Sequence, residues 1–172
     1  MQTIISFVGV VLFIAAAYSD VRSFRIPNLL VAAVALLAVV RLIMVGDPSA
    51  ALYTVGASII ILAIGFVLFW RGLVGRGDAK LITATALLIG YNHLLSFLVL
   101  MSICGAIISL TAFVTNRQQT AKILYIPYGI AIAIAGSVTL LFHSPFGTAL
   151  LFPHRVAVTL LLQSPFAILF VG

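Results

Sequence analysis

The chain has 172 residues, of which 64% are hydrophobic and 7% are charged. Soluble domains average about 25% charged residues, so this composition excludes a protein with a water-facing surface. Its apolar runs are long and lack the roughly ten-residue alternation of barrel strands, which predicts an all-α, polytopic membrane helix bundle. We expect one membrane domain over residues 1–172 and no separate soluble domain.

The net charge is +6, from nine Lys and Arg against three Asp and Glu. In a soluble protein this excess would favour nucleic acid as a partner. Here the basic residues lie in short segments between apolar runs, where anionic headgroups and membrane insertion account for them. We therefore expect the lipid bilayer as a partner, and no nucleic acid.

Six apolar runs predict six transmembrane helices, at about 3–19, 29–45, 50–70, 79–91, 94–115 and 126–142. No Lys or Arg precedes the first run, so we interpret it as a span and not as a signal peptide. The first, third and fifth connections carry Lys and Arg, which predicts a cytoplasmic position for them and an outer N-terminus. A weaker run at 156–171 predicts a short seventh span, a re-entrant piece or an interfacial segment, and the sequence leaves these three open.

Two of the three acidic residues, Asp20 and Asp78, flank predicted cytoplasmic connections, whereas Asp47 lies in the outer turn GDPSA. The run that opens at Asp78 is only about 20 Å long at 1.5 Å per residue, against about 30 Å of hydrocarbon. Three explanations are open: a thinned bilayer, a helix that continues through residues 91–93, or a start below the membrane surface. In the last case the glycine-rich segment RGLVGRG would dip inward and place Asp78 in a water-reachable notch.

The spacing permits Asp20 and Asp78 to meet but does not require it. Two adjacent carboxylates in a low dielectric share one proton, so the ionised member can activate a water while the protonated member polarises a carbonyl. The dipole of the helix that begins near Asp78 favours the charge there, although a coupled pair titrates as a unit. Two simpler roles stay open: a helix cap for Asp78, and an ion pair with Arg22 for Asp20.

The loop sequences resemble a known family. GRGD at 75–78 matches the GxGD pattern of intramembrane aspartyl proteases. DVRSFRIPN at 20–28 and GDAKL at 77–81 resemble the first and second aspartate loops of type IV prepilin peptidases. IPYGIAIAIAG at 126–136 is similar to the stretch that opens a later helix in that family.

The resemblance implies a membrane peptidase domain in which Asp20 and Asp78 are the catalytic dyad. The implied reaction removes a short basic leader from a pilin precursor, at the cytoplasmic boundary of the bacterial inner membrane. Gly75 and Gly77 would let the substrate backbone approach closely, with a loop hinge as the alternative.

Three basic residues also belong to the matched loops: Arg22, Arg25 and Lys80. Binding of lipid headgroups is favoured for them, with pairing to an acidic residue of the precursor as the alternative.

Larger members of the family carry a cysteine-rich zinc insert between the first two spans and also N-methylate the new terminus. Here the first connection is short and cysteine-free, so we expect no metal and no cofactor. This compact form resembles the peptidases of tight-adherence (Flp-type) pilus systems.

Two other classes of function are open. A transporter or channel subunit would use Asp20 and Asp78 to couple protons or cations, although such carboxylates usually lie near the bilayer midplane. A structural assembly subunit would need neither side chain. The sequence leaves open the precursor and the oligomeric state.

Overall fold

The computed structural model describes residues 2–23, 26–115 and 128–142. Within these ranges the chain forms six α-helices: α1 Gln2–Ser23, α2 Asn28–Val45, α3 Pro48–Trp70, α4 Arg76–Ile89, α5 Tyr91–Thr115 and α6 Tyr128–Phe142. Each helix coincides with one predicted apolar run, which confirms the all-α prediction for this part of the chain. Arg25 and the run at 156–171 lie outside the described residues.

Four helices are long and apolar enough to cross a membrane: Thr3–Ser23, Asn28–Val45, Pro48–Trp70 and Tyr91–Thr111. Their outer faces are apolar. On α2, for example, Leu29, Leu36 and Ile43 recur every seventh residue and are 80%, 67% and 74% exposed. An apolar stripe of this extent is stable against lipid chains and not in water, so the protein is an integral membrane protein. The described helices α4 and α6 have 14 and 15 residues, and their transmembrane character stays a prediction.

The short helix α4 lies at the centre of the bundle, packed against α2, α3, α5 and α6. Leu81, Thr85 and Leu88 on α4 are fully buried. The Thr85 hydroxyl donates to the Leu81 carbonyl at 2.8 Å, so this polar group has a partner inside the core. Because α4 is surrounded by other helices, they shield much of its backbone.

Glycine ends both α4 and the helix before it. Gly90, with a φ of 89°, follows Ile89 and donates its N–H to the Ala86 carbonyl at 3.0 Å. The explanation that α4 continues through 91–93 is therefore wrong, because Tyr91 already begins α5. At the other end, Gly72 has a φ of 72° and donates to the Phe69 carbonyl at 2.9 Å, in a left-handed turn that closes α3.

The first helix packs closely on the last described one. Gly136 of α6 faces the fully buried ring of Phe13 on α1, and a Cβ at position 136 would lie 2.8 Å from two ring carbons. The methyl group of Thr85 on α4 would lie 3.2 Å from the same Cβ. Helices α1, α4 and α6 therefore approach closely at Gly136, because this residue has no side chain.

We expect Gly136→Ala to destabilise the fold by about 1–3 kcal/mol, because the added methyl overpacks the contact between α1 and α6. Thermal unfolding of the detergent-solubilised protein measures this as a lower Tm. Gly56→Ala on α3 is the matched control, since a Cβ there would have nothing within 4 Å. Equal melting temperatures for the two variants would contradict the close packing described for Gly136.

Candidate active site

Asp20 lies in the last turn of α1 and points into the bundle. Its side chain is only 4% exposed. One carboxylate oxygen, Oδ2, accepts a hydrogen bond of 2.9 Å from the N–H of Gly129, and the N–H of Ile130 also donates to the carboxylate. Both donors belong to the first turn of α6, where backbone N–H groups lack partners within the helix. These donors and the positive end of the helix dipole partly offset the cost of burying the carboxylate.

Gly129 is the residue that makes this contact possible. A Cβ at position 129 would lie 2.6 Å from Asp20 Oδ2 and 2.8 Å from Cγ, closer than non-bonded atoms approach. Sequence reasoning gave Gly129 no role, although it lies within the segment IPYG that carries part of the family resemblance. Only the fold reveals its function, because its partner is 109 positions away in the chain.

Asp78 occupies the third position of α4, whose N-cap residue is Gly75. The Asp78 carboxylate accepts a hydrogen bond from the N–H of Gly75, as an acidic residue does at the third position of a capping box. Asp78 is therefore not the N-cap residue itself, which is Gly75, but lies in the first turn of α4. A Cβ on Gly75 would lie 2.7 Å from Asp78 Oδ2, so the absence of a side chain at 75 leaves room for this carboxylate.

The structure brings the two carboxylates close enough to interact. Burial, and after it the negative charge of Asp20, raise the pKa of the Asp78 carboxyl to about 6. The helix dipole favours Asp78 as the more acidic member, and that ranking stays a prediction, but the pKa of Asp78 is raised and not lowered. The Gly75 N–H does lower this pKa, but loss of water and repulsion from Asp20 outweigh it. Below about pH 6, Asp78 therefore holds a proton.

Two contacts hold the start of α2 against the first turn of α4. A Cβ on Gly77 would lie 3.2 Å from the Cβ of Ile26, so the two segments are in close contact. The ammonium group of Lys80 donates to Asn28 Oδ1 at 3.3 Å. Gly77 and Lys80 thus contact the protein's own first connection, which brings the end of α1 towards α4. Their predicted contact with substrate stays a prediction.

Arg22 is exposed and donates from its guanidinium to the hydroxyl of Tyr18 at 2.9 Å, one turn back on α1. Asp20 instead accepts its hydrogen bonds from α6. These separate interactions replace the ion pair between Asp20 and Arg22 that their spacing would allow. Arg22 therefore lies on the exposed face of α1.

A cavity of about 340 Å³ opens beside Asp78, between the end of α3 and helices α4, α5 and α6. Its wall is mainly apolar and includes Ile82 of α4, Met101 of α5 and Ile132 of α6. The carboxylate of Asp78 lies on the same wall. This volume lies in the range of about 300–1,000 Å³ typical of ligand sites, and an apolar wall with a few polar groups is also typical of them.

No group of three His, Cys, Asp or Glu side chains that could hold a metal ion is found in the part of the chain that the structure describes.

A model of the type IV leader peptidase family matches residues 7–110. The matched range contains both Asp20 and Asp78, and it ends before α6, which supplies the hydrogen bonds to Asp20. No curated protein and no solved structure matches the chain.

We expect Asp20→Asn to lower the pKa of Asp78 from about 6 towards its ordinary value, because the repulsion disappears while the burial remains. Infrared titration of protein with ¹³C-labelled aspartate measures this shift. Asp47→Asn is the control, because it removes the Asp47 signal and should leave the Asp78 titration unchanged. In the other proteins the Asp47 signal titrates separately, since hydrogen bonds from Ser49 and Ala50 hold the Asp47 pKa below its usual range. An unchanged Asp78 pKa in Asp20→Asn would show that the two carboxylates do not interact.

Proposed function

This chain belongs to the type IV leader peptidase family, and we propose that it cleaves the leader from pilin precursors by an aspartyl mechanism with Asp20 and Asp78 as the catalytic pair. The observation that carries the proposal is the electrostatic effect of Asp20, which helps to raise the pKa of Asp78 to about 6. A pair in which one carboxyl is protonated and the other ionised is what acid–base hydrolysis of a peptide bond requires.

In the proposed reaction, ionised Asp20 takes a proton from a water molecule, whose oxygen then attacks the scissile carbonyl carbon. Protonated Asp78 donates to the carbonyl oxygen, which yields a tetrahedral diol. A proton then passes to the leaving nitrogen and the C–N bond breaks. The products are the leader carboxylate and a new amino terminus, and the pair returns with one proton.

The position of each carboxyl group supports this division of roles. Asp20 is held by two N–H groups of α6, which stabilise a negative charge in a buried site. Asp78 is less deeply buried and lies on the wall of the 340 Å³ cavity, where a bound carbonyl can reach it. The acid therefore faces the substrate, and the base lies behind it against α6.

The proposed location is the cytoplasmic face of the bacterial inner membrane. Arg22 and Lys80 are exposed on the helix ends that carry Asp20 and Asp78, and exposed Arg71 follows the end of α3. Lys and Arg are enriched on the cytoplasmic side and bind anionic headgroups. We propose that Arg22 and Lys80 bind anionic headgroups. The headgroups would then lie close to the basic leader of a bound precursor.

The substrate is proposed to be a precursor of the tight-adherence (Flp) type. This rests on the short first connection, which lacks the cysteine-rich insert of larger members. Gly75 is proposed to contact the precursor backbone, since it borders Asp78 and carries no side chain.

Asp20→Asn and Asp78→Asn should each abolish leader cleavage, with a loss of at least about 100-fold. Each puts an amide of the same size in place of one carboxyl group and so removes one partner of the acid–base pair. The size shift of a co-expressed pilin precursor measures cleavage, and immunoblotting confirms that the variant accumulates in the membrane. Normal processing by either variant would overturn the assignment of the pair.

Two further variants serve as controls in that experiment. Asp47→Asn removes the third acid, which is exposed at the start of α3, and should leave cleavage unchanged. Lys80→Ala should reduce cleavage less than either active-site variant, since it breaks only an exposed hydrogen bond to Asn28. A loss as large as that of Asp78→Asn would assign Lys80 a direct part in the reaction.

Gly129→Ala should reduce leader cleavage on the order of 100-fold, because the new methyl displaces the Asp20 carboxylate from its position. The measurement is the initial cleavage rate of purified protein, with Gly56→Ala on the outside of α3 as control. Full activity in Gly129→Ala would show that the hydrogen bonds from α6 do not position Asp20.

A further inference from the structure

We propose that the cavity beside Asp78 is the subsite for the first apolar side chain of the precursor after the cut, and that Gly105 of α5 sets the largest side chain it accepts. This inference rests on the proposed function and specifies which part of the substrate the site takes.

The cavity is continuous with the catalytic group. Asp78 forms part of its wall, so a chain whose carbonyl is bound at Asp78 must place a neighbouring side chain in or beside this space. The volume of about 340 Å³ is large enough for a bulky side chain together with adjoining backbone. A subsite next to the scissile bond is the direct consequence of this geometry.

The chemistry of the wall selects one side of the scissile bond. Ile82, Met101, Ala106 and Ile132 are apolar, and the other cavity-lining residue types include serine, glycine and tyrosine but no acid besides Asp78. A basic leader residue buried among these apolar side chains would lose most of its hydration, with Asp78 as the one acid among the described lining residues. An apolar side chain loses no favourable hydration when it enters the cavity. The apolar segment that follows the cut therefore fits the cavity, and the basic leader does not.

The room in the cavity comes from small residues on one face of α5. Ser102, Gly105, Ala106 and Ser109 follow the three- and four-residue spacing of a single helix face, and all four line the cavity. A Cβ on Gly105 would meet only the ring of Tyr128, at 3.7 Å, which is ordinary contact. Alanine is therefore accommodated at position 105, whereas a longer side chain must extend into the cavity.

The test uses purified full-length protein and two precursors that differ in the residue after the cut, Phe in one and Ala in the other. Gly105→Leu should lower kcat/KM for the Phe precursor at least about tenfold and change that for the Ala precursor less than about threefold, as a steric pocket discriminates. Gly56→Leu on α3 is the matched control, since a Cβ there would have nothing within 4 Å, and it should cleave both precursors like the wild type.

A loss for both precursors in Gly105→Leu, or for neither, would overturn the inference. A loss for both would mean that position 105 does not discriminate between Phe and Ala after the cut. A loss for neither would mean that the cavity holds something else, such as a lipid chain. Failure of the wild type to cleave either precursor would overturn the proposed function itself, so the two failures are distinguishable.

Met101→Ala gives an independent test that enlarges the cavity and does not depend on the stability of Gly105→Leu. It should raise the kcat/KM for a Trp precursor relative to the Ala precursor, compared with the wild type. An unchanged ratio would overturn the inference.

Discussion

A buried carboxylate needs hydrogen-bond donors, and the way in which Asp20 obtains them constrains much of the bundle. Its donors are the N–H groups of Gly129 and Ile130, so the first turn of α6 must lie against the last turn of α1. That closeness excludes a side chain at position 129. Further along the same pair of helices, Gly136 against Phe13 keeps the axes close. The polar contact and the apolar packing thus require the same arrangement of α1 and α6.

The second carboxylate depends on α4, whose position at the centre of the bundle gives it two unlike ends. One end stops at Gly90, where the positive φ turns the chain directly into α5. The other end begins at Gly75 and carries Asp78 at the edge of the cavity. Contacts from Ile26 and Asn28 hold this end against the start of α2. Asp78 is half-buried because other helices enclose this end of α4.

The environments of the two carboxyl groups differ in a way that suits opposite roles. Asp20 is nearly inaccessible but has backbone donors, so the protein partly compensates a charge on it. Asp78 has one backbone donor, loses part of its hydration and faces the charge on Asp20, so its pKa rises to about 6. The two aspartates thus differ in their donors and in their exposure, and unlike surroundings of this kind allow paired carboxyl groups to serve as acid and base.

The amino-acid sequence alone determined the class of protein, the positions of the helices and the two candidate carboxylates. Composition excludes a water-facing surface, and the apolar runs agree with the six described helices to within a few residues, because both signals are local. The boundaries that differ are explained by particular residues: Asp20 belongs to the last turn of α1, and Gly90, not the segment 91–93, forms the corner before α5. The loop motifs also pointed to the family that matches residues 7–110.

Tertiary structure decided that Asp20 meets α6, that Gly129 must lack a side chain, and that burial and the charge of Asp20 raise the pKa of Asp78. None of these is readable from spacing, because each depends on atoms that are distant in the chain and adjacent in space. The helix dipole at Asp78 was visible in the sequence, but the burial and the neighbouring charge that outweigh it were not. Local patterns determine where helices form, whereas the free energy of a charge depends on everything packed around it.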